Sequence, residues 1–167
     1  MKNANGKEDT AFTVQYDLCM PNRFDLAYIG EDGAKHRAFV VHRSSIGAIE
    51  RIMAFLIEKY VGAFPLWLSP VQVKVLPVSE KHNAYANEVL AALRAASIRA
   101  EIDDANESLG KKIRNAKTEK IPYLLVVGDK EVEAKTISVE SRDAGKMDVA
   151  SLSDFITKVT EEIRSRK

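Results

Sequence analysis

Two stretches stand out among the side chains able to do chemistry. Arg51 stands inside VHRSSIGAIERIMAFLIEKY, where Ile46, Ile49, Met53, Leu56 and Tyr60 recur at helical spacing and Ala48, Ile52, Phe55 and Ile57 widen the apolar stripe. A helix apolar nearly all round is expected to be buried on several sides, so a guanidinium on it requires an anionic or aromatic partner. On residue type alone that partner is a carboxylate. The second stretch lies between positions 111 and 120, where Lys111, Lys112, Arg114, Lys117 and Lys120 stand against one acid, Glu119. Such a surplus suits phosphate contact, while a solvated helix face is its commoner meaning. By residue type Asn106 reads as a helix cap and Glu131 as a turn residue in a hairpin. His42 ends a strand, and neither His36 nor His82 has ligand spacing with it, so one imidazole makes no zinc site. Cys19, the only cysteine, cannot form an internal disulfide. It fits a reducing cytoplasm and is expected to be a half-buried strand residue.

These side chains need elements to position them. Ser44 or Ser45 can cap the Arg51 helix. Residues 1–10 are polar, offer nothing to bury and are expected to fray. Over 11–19 the chain alternates, with Phe12, Val14, Tyr16 and Leu18 on one strand face and Thr13, Gln15 and Asp17 on the other. Two further strands, 23–29 and 38–42, are expected to pair around the Glu31-Asp32-Gly33 turn. Pro65, Trp67 and Pro70 then mark a boundary, giving a first domain over 1–62, a linker over 63–70 and a second domain over 71–167.

Beyond the boundary the pattern predicts a strand in VQVKVLPV, a helix over 80–96, a strand over 99–103 and a helix over 108–118, whose buried stripe is Leu109, Ile113 and Ala116 with the charges outside. YLLVV, stopped by Gly128, reads as a central strand covered on both faces. A strand over 136–142 and an amphipathic helix over 151–164 complete a three-layer α/β domain. The length of 167 residues allows one small domain plus a piece of another, and the formal charge of +1 excludes a uniformly basic nucleic-acid coat. No signal peptide or membrane span is expected.

HRSSIGAIER following a strand resembles motif 3 of class II aminoacyl-tRNA synthetases, in the form found in threonyl-tRNA synthetases. The resemblance runs on through FPLWLSPVQV, LGKKIRNA and YLLVVGDKEVE. It implies a mixed five-stranded anticodon-binding domain with helices on its faces, preceded by an incomplete antiparallel piece of a class II catalytic domain. It implies ATP-dependent joining of threonine to its tRNA by a homodimeric, cytoplasmic parent that uses ATP, Mg and Zn, with no DNA and no membrane involved. Arg51 then matches the arginine that packs over adenine and offers charge to the ATP phosphates. Gln15 matches a polar residue of the threonine and adenylate region, and by the same resemblance His42 would be one of three zinc ligands whose partners lie upstream.

Asn106 and Glu131 match anticodon readers, Glu131 accepting from the middle guanine. Lys111, Lys112, Arg114 and Lys117 would meet RNA phosphates. Thr10 stands where the family often has Gln, Ala48 where it often has Ser, and Glu140 where it has an anticodon-contacting Arg. Arg142, two residues on, is the expected substitute. Motif 2 is not in the chain, so by itself it is expected to be inactive. The rivals are a free-standing relative that binds RNA or a protein, and a flavodoxin-type ligand module. The second is disfavoured because no glycine-rich phosphate loop follows any predicted strand.

Overall fold

The computed structural model describes residues 2, 5–8 and 10–166, with only the backbone of 146–148. The chain divides into two compact units, one ending at Lys59 and one beginning at Tyr60.

In the first unit, β1 (Thr13–Asp17) pairs antiparallel with β4 (Val40–Ser44), and β2 (Ala27–Ile29) pairs with β3 (Lys35–Arg37). The expected hairpin turn forms, with Gly33 at φ 74° and its N–H on Gly30 O. The partner is corrected: the turn is tight enough to bring back 35–37, so 38–42 is free to return to β1. Asp17 Oδ1 accepts from the N–H groups of Cys19 and Met20, which starts the short helix α1 (Cys19–Arg23). Cys19 is therefore an exposed helix residue, not a half-buried strand residue. Helix α2 (Ile49–Tyr60) has no buried residue, contrary to its all-round apolar pattern. Ile49, Met53 and Ile57 present an open stripe, and Phe12, Val14, Tyr16 and Leu18 are each more than half exposed. Of residues 1–10, several lie outside the described residues; within the described part, Lys2 and Glu8 form an isolated antiparallel bridge.

The second unit is built on a five-stranded mixed sheet. Its strands are β5 (Val73–Pro77), β6 (Ala100–Ile102), β7 (Tyr123–Val127), β8 (Thr136–Ser141) and β9 (Gly145–Ser151), in spatial order β6-β5-β7-β8-β9. The first three are parallel and the last two antiparallel to their neighbours. Alternation splits β5 between two cores. Val73 and Val75 join Leu125, Val127, Ile137 and Val139 beneath α3 (Asn83–Ala95) and α6 (Leu152–Ser165). Leu76 joins Leu124 on the opposite face, under Ala116 and Ile113 of α4 (Leu109–Thr118). The result is three layers, helices over both faces of one sheet.

Residues 63–70, expected as a linker, pack into this unit. Leu66 is buried in its core, and the buried Gln72 amide spans two neighbours, donating to Leu66 O at 2.9 Å and accepting from Arg99 N at 2.9 Å. The residue pattern did not indicate β9, nor α5 (Asp129–Ala134), which follows β7.

Candidate nucleic-acid interface

Strand topology singles out one edge of the second unit. The crossover from β5 to β6 and the one from β6 to β7 run to opposite sides of β5, so loops leaving the carboxyl ends of the three parallel strands splay apart. In open α/β sheets that crevice is where ligands enter. Here the loops are 78–82, 103–108 and 128–131. The first two enclose a cleft of ≈ 470 Å³ whose lining includes Ser79, Lys81, Asn83, Asp104, Asn106 and Lys112. Asn106, a helix cap by residue type and an anticodon reader by the resemblance, lines this cleft, and the position before the helix is taken by Ser108.

Glu131 belongs to the same edge of the sheet. It stands in the first turn of α5, not in a hairpin turn, and its carboxylate accepts from Gly128 N at 2.9 Å and from Ser138 Oγ at 2.7 Å. Burial pushes this carboxyl up, but the Ser138 and Gly128 donors outweigh it and hold the group below its ordinary range. It therefore stays an ionised acceptor at neutral pH. A Cβ on Gly128 would lie 3.2 Å from Glu131 Oε2 and 3.3 Å from Val78 Cγ2, so the missing side chain lets carboxylate, backbone and cleft wall meet. Across the loops, His82 is 3 % exposed, accepts from Ser79 N at Nδ1 (3.1 Å) and meets Asp129 Oδ1 at Nε2 (3.1 Å). This clip joins the β5 loop to the start of the helix that carries Glu131. No ligand spacing in the sequence signalled it.

Arg142 is not with them. It leaves β8 at its far end, where its N–H bonds Pro122 O ahead of β7, and the five-residue strand β7 separates it from Glu131 by about 16 Å. Its guanidinium donates to Phe64 O (2.9 Å) and Lys120 O (3.1 Å) and pairs with Asp143. The expected stand-in for a base-reading arginine is thus committed to the protein's own backbone. Glu140 pairs with Lys117 at 2.5 Å.

The basic helix also differs from expectation. Lys112 lies inside, 3 % exposed, because position 112 falls on the flank of the 109/113/116 stripe. Its Nζ donates to Pro77 O and Asp103 O. Lys111 pairs with Glu107 at 2.6 Å, Lys120 donates to Val61 O, and Arg114 is exposed. The exposed pairs are weak and can exchange for phosphate.

In the first unit, Gln15 and His42 are opposite one another across β1 and β4, on one face. His42 Nε2 meets Asp17 Oδ2 at 3.0 Å, and the Asp17 carboxyl is held low first by the Met20 N–H and then by His42. Arg51 Nη1 donates to Thr10 O at 2.9 Å, so its partner is a backbone carbonyl where a carboxylate or ring was expected. Among the described residues no group of three or more His, Cys, Asp or Glu could hold a metal. His42 with Asp17 does not fit a zinc ion, which needs at least three well-placed protein donors. One guanidinium likewise does not make a site for ATP and magnesium. No described helix is long and apolar enough to cross a membrane.

Residues 72–162 match the family model described as anticodon binding domain. The chain is 50% identical over 166 residues to a threonine–tRNA ligase of Clostridium perfringens, covering 99% of this chain and 26% of that protein. It is 48% identical to the threonine–tRNA ligase of Acetivibrio thermocellus, covering 100% of this chain and again 26% of the relative. The chain thus spans about a quarter of the length of these relatives. Among solved structures, the RNA binding domain of threonyl-tRNA synthetase from Cryptosporidium parvum Iowa II superposes with a TM-score of 0.77 at 30% identity, covering 96% of this chain and 41% of that one.

Proposed function

Since this chain belongs to the anticodon binding domain family, we propose that it is the C-terminal part of a threonine–tRNA ligase and that its second unit binds the anticodon of threonine tRNA. The observation that carries this is that Asn106 and Glu131 both follow the carboxyl ends of parallel strands, Asn106 lining a cleft of ≈ 470 Å³, in a chain half identical to such ligases over its length. RNA sequence is read on unstacked loop bases. An ionised Glu131, held by Gly128 and Ser138, accepts from the two donors on the Watson–Crick edge of the middle guanine. Asn106 supplies an amide to a neighbouring base. Lys111, Arg114 and Lys117 supply charge to phosphates.

The parent protein would join threonine to tRNA with ATP, as a cytoplasmic homodimer. In it, Arg51, Gln15 and His42 would lie on the last part of the catalytic sheet, Arg51 over adenine and the phosphates. ATP, Mg and Zn would be held there chiefly by residues outside this chain. The open stripes of the first unit, Ile49, Met53 and Ile57 together with Phe12, Val14, Tyr16 and Leu18, are surfaces for the remainder of that catalytic domain to cover. The test is binding of an anticodon stem-loop to the chain. Replacing the middle guanine by adenine is expected to weaken it about tenfold or more, since the Glu131 acceptor is left unmatched. Equal affinity for both loops overturns the reading.

A further inference from the structure

Among the described residues of the second unit two lysines are buried, and they are held differently. Lys74 meets Glu119 at 2.5 Å, an ordinary ion pair. Lys112, 3 % exposed, donates to two backbone carbonyls, Pro77 O at 3.1 Å and Asp103 O at 2.9 Å. An ammonium taken from water is costly to place, and neutral carbonyls repay less than a carboxylate does. A methionine of similar length would fill the same volume without a charge, so packing alone gives no reason for a lysine.

The reason lies in what the two carbonyls belong to. Pro77 closes β5, and Asp103 is the first residue after β6, the neighbouring parallel strand. Asp103 also opens the loop that carries Asn106. Its N–H bonds Val75 O at 3.0 Å, its Oδ1 accepts from Ala105 N at 3.3 Å, and Ala105 O accepts from Glu107 N at 2.8 Å. Lys112 and Asn106 line one cleft. A single cation beneath that cleft thereby fixes the spacing of two strand ends and the start of the loop above it.

We propose that Lys112 is a positioning residue for RNA recognition: its buried ammonium pins the carboxyl ends of β5 and β6 and presets the Asn106 loop, without itself meeting a phosphate. The inference rests on the anticodon reading above and replaces the phosphate contact expected for this residue.

Two measurements on the whole chain test it. In the free protein, Lys112→Met is expected to speed amide exchange at Asp103, Ala105 and Glu107 about tenfold while β7 keeps its protection. Unchanged loop exchange overturns the proposal, whatever RNA does. With a threonine-type anticodon stem-loop over a salt series, Lys112→Met is expected to weaken binding about tenfold with the salt slope unchanged, and to remove most of the effect of adding Asn106→Ala. A slope reduced by roughly 0.7–0.9 shows a phosphate contact and overturns it, as does full additivity with Asn106→Ala. Lys112→Arg gives the same decision should the methionine variant fail to fold. A phosphate accepts arginine as readily as lysine, so wild-type affinity contradicts the proposal, and weaker binding at wild-type slope supports it. If the wild-type chain ignores the stem-loop, the functional reading fails, and the exchange measurement still judges Lys112.

Discussion

Replacing Arg142 by alanine separates a structural from a recognition role. The side chain is 19% exposed and makes two hydrogen bonds to backbone carbonyls, of Phe64 and Lys120, besides its pair with Asp143. Bonds from a charged donor are worth about 1.5–3 kcal/mol each, and the exposed Asp143 adds about 0–1 kcal/mol. Water can reach part of the vacated space, so the expected loss is about 2–4 kcal/mol. Trp67 is the only tryptophan, and its carbonyl accepts from Arg99 Nη2 at 2.8 Å within the second unit, so its fluorescence reports unfolding there. A loss of that size moves the urea midpoint down by about 1–2 M. The Asp143 carboxyl, held low by the Arg142 guanidinium, should rise toward its ordinary value of 3.8. Stem-loop binding by the folded variant should keep the wild-type salt slope. A midpoint unmoved within about 0.3 M, together with a slope reduced by roughly 0.7–0.9, would refute the reasoning and return Arg142 to the RNA contacts.

Two further outcomes follow from the same geometry. Gln72→Met keeps the volume but leaves Leu66 O and Arg99 N without their buried partners, and should cost about 2–4 kcal/mol in the Trp67 transition; a cost under about 1 kcal/mol contradicts this. The Glu131 carboxyl lies below its ordinary 4.5 in the folded chain, so the unfolded chain takes up the proton first as pH falls. Its contribution to stability is present above 4.5 and is lost as pH drops through the folded value. The stability gap between wild type and Glu131→Gln should therefore shrink on acidification, and a gap that widens is the contrary result.

Much of the second unit was legible because periodicity and burial agree there. Tyr85, Val89 and Leu93 recur at helical spacing and all three are buried, and YLLVV is a covered central strand. Lys112 was misplaced because its charge was weighed above its position: three residues after Leu109 and four before Ala116, it falls on the buried flank. Six residues from Asp129 carry little apolar periodicity, so α5 went unseen despite its acidic first turn. In the first unit the turn at Asp32-Gly33 was readable but its register was not, since alternation does not choose between 35–37 and 38–42 as the returning strand. The separation of Arg142 from Glu131 was beyond a local reading. It depends on β8 running antiparallel to β7, which reverses the end of the sheet at which two residues eleven apart are found.

The measurement that bears most directly on the carboxyl-edge interface is an amide chemical-shift map of the chain titrated with a threonine-type anticodon stem-loop. Shifts concentrated at 78–82, 103–108, 128–131 and 136–138, with little change at 120–122 and 142–145, are the expected result. Shifts centred on the Arg142 end of the sheet, or none above those caused by an unrelated loop, would contradict it.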